Sequence, residues 1–125
     1  MQGYVFVFLG AGLGGAMRHG VNQAALRLAG PNFPFGTFAV NVAGSLVMGL
    51  LVGWFAHKAD PGQGWRLFLT TGILGGFTTF SAFSLDAALL YERGDLATAV
   101  AYVAGSVALS LLAVFAGLWL VRLAA

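Results

Sequence analysis

Four long apolar stretches, separated by short polar turns, constrain this chain more than any other feature of its sequence. They cover residues 4–28, 35–56, 65–91 and 96–123. Each exceeds the roughly 20 residues that an α-helix needs to cross the hydrocarbon core of a bilayer. A β-barrel would instead need strands of about 10 residues with alternating apolar and polar positions. The pattern therefore predicts an all-α membrane protein with four transmembrane helices in a single domain.

The scarcity of charge agrees with this interpretation. Only 8% of the 125 residues are charged, whereas a soluble domain carries about 25%. The net charge of +2 is small and scattered, which argues against nucleic acid as a partner. The chain has no cysteine, so disulfides and thiolate metal sites are excluded. Lipid is the expected surrounding medium, and a multi-pass protein of the cell membrane is the expected class.

The cations show no bias between the two sides of the membrane that four crossings would define. Because the positive-inside rule then gives no preferred orientation, insertion in both orientations is expected, and such a protein could form an antiparallel homodimer. The alternative is that a misplaced helix end hides a real bias. The cations of the first side are Lys58, Arg66 and Arg122, and those of the second are Arg18, Arg27 and Arg93.

Polar residues recur every four positions in the second and fourth stretches, which places each set on one helical face. Two such faces could line a route for a solute across the membrane. Alternatively, the same side chains could form hydrogen bonds between helices, as Ser, Thr and Asn commonly do in membranes. The two sets are Thr37, Asn41 and Ser45, and Tyr102, Ser106 and Ser110.

The third stretch contains the strongest local signal, a pair of glycines followed by Thr78 and Thr79. Glycine and β-branched residues at mid-membrane depth favour a helix break, and broken membrane helices often coordinate ions. The competing interpretation is a continuous helix whose glycines allow close packing. Phe80 and Phe83 share one face after the break. Their positive ring edges could stabilise an anion, although phenylalanines in membranes more often face lipid or a neighbouring helix.

Two charged residues lie inside the apolar stretches, more than one helical turn from either end. Arg18 and Asp86 belong to the same side of the membrane, so we expect them to form a pair, within one chain or between two. No nucleophile–base constellation, carboxylate pair or phosphate-binding loop is present. The chain is therefore not expected to be an enzyme.

Three segments together resemble the Fluc (CrcB-type) fluoride channels, and the resemblance extends over the whole chain. They read Gly-Gly-Ala-Met-Arg at 14–18, Gly-Thr-Phe-Ala-Val-Asn-Val-Ala-Gly-Ser at 36–45 and Gly-Gly-Phe-Thr-Thr-Phe-Ser-Ala-Phe-Ser at 75–84. The last segment is the most specific. The resemblance implies a dual-topology, antiparallel homodimer that carries fluoride passively out of a prokaryotic cell. One departure is Asp86, where many relatives are expected to carry glutamate.

The resemblance also implies roles for individual residues. A structural Na⁺ at the centre of the dimer would be held by the backbone carbonyls of Gly75 and Thr78. The aromatic edges along the anion path would come from Phe80 and Phe83. The polar groups of the pore would be Asn41, Thr37, Ser81, Ser84, Tyr102, Ser106 and Ser110.

Two other transport functions are alternatives for a chain of this kind. A fluoride/proton antiporter needs a titratable coupling group, for which Asp86 is the only candidate in the helices. A small multidrug-type exporter coupled to protons would have a similar length and topology. Exporters of that family depend on a glutamate in the first helix, whereas the first helix of this chain has Arg18 and no acid.

Overall fold

The structure, a computed structural model, describes residues 1–124 and is helical throughout, with no strand in that part of the chain. The long helices are α1 (Gln2–Ala29), α2 (Phe35–His57) and α6 (Leu96–Ala124). Between α2 and α6 the chain forms α3 (Gln63–Arg66), a π-helix (Leu67–Leu74), α4 (Gly75–Phe77) and α5 (Phe80–Glu92). The interruption predicted in the third stretch lies at Thr78 and Thr79.

The short connections follow from local chemistry. Gly30 ends α1 with φ 79° and donates its N–H to the carbonyl of Leu26 at 3.1 Å, a left-handed position that glycine adopts without strain. Gly94 has φ 86° at the α5–α6 turn. Asp95 then accepts a hydrogen bond from the Thr98 amide at 3.3 Å, which caps the first turn of α6. These turns are too short for any further domain.

The loop before α3 is held by an exposed carboxylate. The Gly62 amide donates to Asp60 at 2.9 Å, and Arg66 lies 2.8 Å from the other carboxylate oxygen. The hydrogen bond from Gly62, followed by the charge of Arg66, holds the pKa of the Asp60 carboxyl below its usual value.

Glycines set the closest helix contacts. A Cβ on Gly10 would lie 2.5 Å from the carbonyl oxygen of Phe68 and 2.9 Å from the Cα of Gly72, so α1 and the π-helix touch backbone to backbone. The main packing of α2 is against α6. There a Cβ on Gly49 would lie 3.1 Å from the Leu118 amide. Small residues at such contacts are typical of helices that associate within a bilayer.

The outer surface is apolar and the buried core is small. Three helical spans are long and apolar enough to cross a membrane: Phe35–His57, Gln63–Glu92 and Leu96–Ala124. The helix α1 has 28 residues but a more polar second half, and it falls outside this set. Among buried large side chains, Tyr102 and Val40 are completely covered. The chain is therefore a multi-pass membrane protein whose apolar side chains mostly face outward.

Candidate functional site: a groove beside the helix break

The helix break consists of two extended residues. Thr78 has φ −89° and ψ 159°, and Thr79 has φ −154° and ψ 123°. Thr78 completes the first half-helix, because both its N–H and its Oγ1 donate to the carbonyl of Leu74, at 3.0 and 2.9 Å. Thr79 begins the second half, since its Oγ1 accepts from the Ala82 amide at 3.1 Å as the N-cap of α5.

Asn41 joins α2 to this break through two hydrogen bonds. Its Oδ1 accepts from the Thr79 N–H at 2.8 Å, and its Nδ2 donates to the Thr79 carbonyl at 3.0 Å. One side-chain amide thus forms hydrogen bonds with both backbone groups of an extended residue. Gly44, one turn further along α2, makes the approach possible, because a Cβ there would overlap the Cγ2 of Thr78.

The backbone carbonyls of Gly75 and Thr78 are among those that lose their α-helical partners at the break. The Thr79 N–H, which would bond to the carbonyl of Gly75 in a continuous helix, donates to Asn41. The Ala82 N–H, which would bond to the carbonyl of Thr78, donates to Thr79 Oγ1. These carbonyls belong to the two residues predicted for the structural Na⁺. Carbonyl oxygens are ligands that hard cations prefer. No cluster of His, Asp or Glu suited to a metal occurs within residues 1–124.

An open groove of about 390 Å³ runs beside the break, between α2, α5 and α6. It brings together side chains that are far apart in the sequence, and none of the residues that line it in the described chain is ionisable. Its polar and aromatic lining comprises Asn41, Ser45, Thr78, Thr79, Phe80, Phe83, Ser106 and Ser110.

The two phenylalanines of the groove have different surroundings. Phe80 is 78% exposed in the single chain, whereas Phe83 is 8% exposed. Their ring centroids are 5.7 Å apart, with an angle of 47° between the ring planes. Phe83 also packs on Tyr102 at 5.2 Å. One ring is therefore fixed in the core of the protein, and the other stands at its surface.

Ser106 provides an unusual polar group. The residue is only 4% exposed, and its Oγ has no hydrogen-bond partner within the described chain. A buried hydroxyl without a partner costs about 1–3 kcal/mol. Ser106 lines the groove, although its Oγ is itself buried in the single chain.

The other predicted site residues lie outside the groove. Thr37 is buried and lines a second cavity of about 330 Å³, formed with the α1–α2 loop and α5. Tyr102 is fully buried, and its hydroxyl donates to Asp86 at 3.1 Å. Ser81 and Ser84 are exposed on α5; the hydroxyl of Ser84 donates to the carbonyl of Phe80 at 3.0 Å.

The expected pairing of Arg18 with Asp86 is not formed within the chain. Arg18 donates from Nε to the carbonyl of Gly76 at 3.0 Å, near the end of the first half-helix. Asp86 accepts from Tyr102 instead. Cations are stabilised near the C-terminal end of a helix, where carbonyls lack partners, and α4 presents such an end directly opposite α1. The sequence offered no signal for this contact beyond the two glycines of the break.

These features define a multi-pass helical membrane protein with a broken helix beside a polar and aromatic groove. The chain belongs to the CrcB-like family, since residues 5–118 match the family described as CrcB-like protein, Camphor Resistance (CrcB). The resemblance noted in the sequence is thereby confirmed.

Relatives match nearly the full chain. A protein of Methylobacterium nodulans is 62% identical over 122 residues, covering 98% of both chains, and is named fluoride-specific ion channel FluC. A protein of Rhodopseudomonas palustris with the same name is 60% identical over 119 residues, covering 95% of this chain and 96% of its own. A protein of Nitrobacter hamburgensis, fluoride-specific ion channel FluC 2, is 57% identical over 119 residues, again covering 95% and 96%.

Proposed function

We propose that this protein is a fluoride-specific channel that lets the anion leave the cell passively. The groove beside the helix break carries the proposal, because it combines an amide, hydroxyls and two phenylalanine rings with no ionisable side chain. The names of relatives that are 57–62% identical to the chain support the same function. A channel is not an enzyme, and no catalytic role is assigned to the groove.

The physical argument rests on the strong hydration of fluoride. A narrow path must replace the lost water with several donors that are individually weak, so that the ion enters and also leaves. The hydroxyls of Ser106 and Ser110, the amide of Asn41 and the edges of Phe80 and Phe83 are such groups. The direction of flow then follows from the membrane potential, since a negative interior favours anion exit by about 2.3 kcal/mol per 100 mV.

The proposed assembly is an antiparallel homodimer of dual topology, with each chain crossing the membrane four times. The groove is open along one side of the single chain, and Phe80 lies at its rim with 78% of its surface exposed. A second copy would close the groove and cover this ring. The even distribution of the six cations between the two membrane sides supports insertion in both orientations.

A structural Na⁺ at the dimer centre fits the chemistry of the break. The carbonyls of Gly75 and Thr78 lack their α-helical partners, and Gly75 is exposed on the surface of the chain. A bound Na⁺ would supply positive charge to carbonyls that lipid leaves without partners. Both chains of the dimer would contribute the same two residues.

The deciding experiment is fluoride efflux from proteoliposomes that contain the purified protein, measured with a fluoride electrode and with chloride as the control anion. Rapid, voltage-driven release of fluoride without chloride is expected. Slow release that follows a pH gradient and is lost in Asp86→Asn would indicate an antiporter instead. Absence of any fluoride release from vesicles that contain folded protein would refute transport.

A further inference from the structure

The starting observation is the cost of the helix break. At a break in a membrane helix, the N–H of an extended residue lacks a partner in its own segment, and each unsatisfied backbone group costs several kcal/mol in hydrocarbon. The Thr79 N–H is such a group, and it donates to Asn41 Oδ1 at 2.8 Å. Asn41 Nδ2 adds a second hydrogen bond, at 3.0 Å, to the Thr79 carbonyl, which as the N-cap carbonyl already begins the hydrogen-bond ladder of α5. The pairing also fixes the orientation of the amide, since the Thr79 N–H requires oxygen and the Thr79 carbonyl requires nitrogen.

The same contact determines where the second half-helix begins. Thr79 is the N-cap of α5 through its Oγ1, and Phe80 is the first residue of that helix. Phe83 follows one turn later and packs against Tyr102. A shift of the Thr79 backbone would therefore change the start of α5 and the position of the ring of Phe80 in the groove.

Close packing of α2 against the break provides independent support. Gly44 lies one turn after Asn41, where a Cβ would overlap the Cγ2 of Thr78 and lie 3.4 Å from the ring of Phe77. The absence of a side chain at Gly44 brings the backbone of α2 near enough for a side chain as short as asparagine to span the gap. An asparagine at position 41 can therefore reach the backbone of the break.

We infer that Asn41 is a positioning residue, which acts on transport by holding Thr79 extended and so placing the two rings of α5. Two of the amide's three hydrogen-bonding groups are committed to Thr79, which leaves one N–H for an ion. The proposal rests on the proposed function only for its effect on fluoride flux. The effect on the break itself is independent of what the protein transports.

The test compares Asn41→Ala with Ser110→Ala, a variant of the same groove whose side chain makes no hydrogen bond to the break. Amide hydrogen exchange is followed by mass spectrometry in peptides that cover residues 78–83, and fluoride efflux is measured in parallel. In Asn41→Ala we expect exchange at the break to become about tenfold faster, because two hydrogen bonds are lost, together with a large loss of flux. Ser110→Ala should keep the wild-type exchange rate while its flux falls.

Asn41→Asp keeps the shape of the side chain and the acceptor for the Thr79 N–H, but its ionised carboxylate has no donor for the Thr79 carbonyl. Its exchange rate should lie between those of the wild type and Asn41→Ala, and it serves as the test if the alanine variant does not fold. Wild-type exchange in the folded Asn41 variants would overturn the inference, whatever their flux. Failure of the wild-type protein to conduct would refute the proposed function alone, since the exchange experiment would still decide the role of Asn41.

Discussion

Gly14 is the position where a single methyl group should do the most damage to the fold. A Cβ there would overlap the carbonyl oxygen of Ile73 and would lie 2.8 Å from the amide nitrogen of Phe77. Both atoms belong to backbone, so no side chain can rotate away. Relief requires α1 to move away from the π-helix and α4, which end at the break.

The magnitude follows from comparison with Gly15, which has open space where its Cβ would lie. Both substitutions to alanine gain the same helix propensity, about 1 kcal/mol at most, so this gain cancels between them. What remains is the overpacking at Gly14, typically 1–3 kcal/mol. We therefore expect Gly14→Ala to be about 1–3 kcal/mol less stable than Gly15→Ala.

The assay is reversible unfolding in mixed detergent micelles, followed by circular dichroism for both variants and the wild type. Gly12→Ala, which also has open space at its Cβ, serves as a second control in case a partner chain covers Gly15. Equal stability of Gly14→Ala and the two controls would refute the close backbone contact between α1 and the segment before the break.

Three further predictions concern the groove and one exposed loop. Ser106→Ala should lower fluoride flux while the unfolding free energy stays the same or rises by up to about 1 kcal/mol, because the lost hydroxyl has no partner in the described chain; a clear loss of stability would contradict this. Phe83→Ala should cost about 3 kcal/mol in unfolding free energy because its ring is buried, whereas Phe80→Ile should lower flux with little loss of stability and with the dimer still formed on size-exclusion chromatography. The pKa of Asp60 is lower in the folded state than its usual value of 3.8. Asp60 therefore stabilises the folded protein at pH values above 3.8, and this stabilisation is lost as the pH falls through the folded-state pKa. The difference in melting temperature between the wild type and Asp60→Asn should therefore shrink in acid. A difference that grows in acid would contradict the lowered pKa of Asp60.

Periodicity and composition were sufficient to predict the helical fold, because long apolar stretches in lipid have few alternatives. The helix break was also predictable, since paired glycines and adjacent threonines weaken a helix locally. The π-helix at Leu67–Leu74 was not predicted. Its sequence has no local mark that separates it from an α-helix, and its geometry accompanies the close packing of α1.

The polar tracks show a different limit. Residues four apart on a helix are offset by about 40°, so a track of three drifts by about 80° from end to end. Thr37 and Ser45 consequently line different cavities, and Tyr102 is buried between aromatic rings while Ser110 lines the groove. The role of Asn41 could not be predicted either, because it depends on how closely α2 approaches Thr78 and Thr79.

The glycine contacts have a mechanical consequence. Where α1 meets the π-helix, and where α2 meets α6, backbone touches backbone with no layer of side chains between them to yield under strain. The two helices of each pair should therefore move together as one rigid unit. Among the described helices, α5 packs only on α6 and to a small extent on α2. The extended residues Thr78 and Thr79 connect α5 to α4 and the π-helix, which pack against α1. The helix that can move most easily is thus α5, which carries Phe80 and Phe83. The groove would therefore widen or narrow chiefly through small displacements of α5.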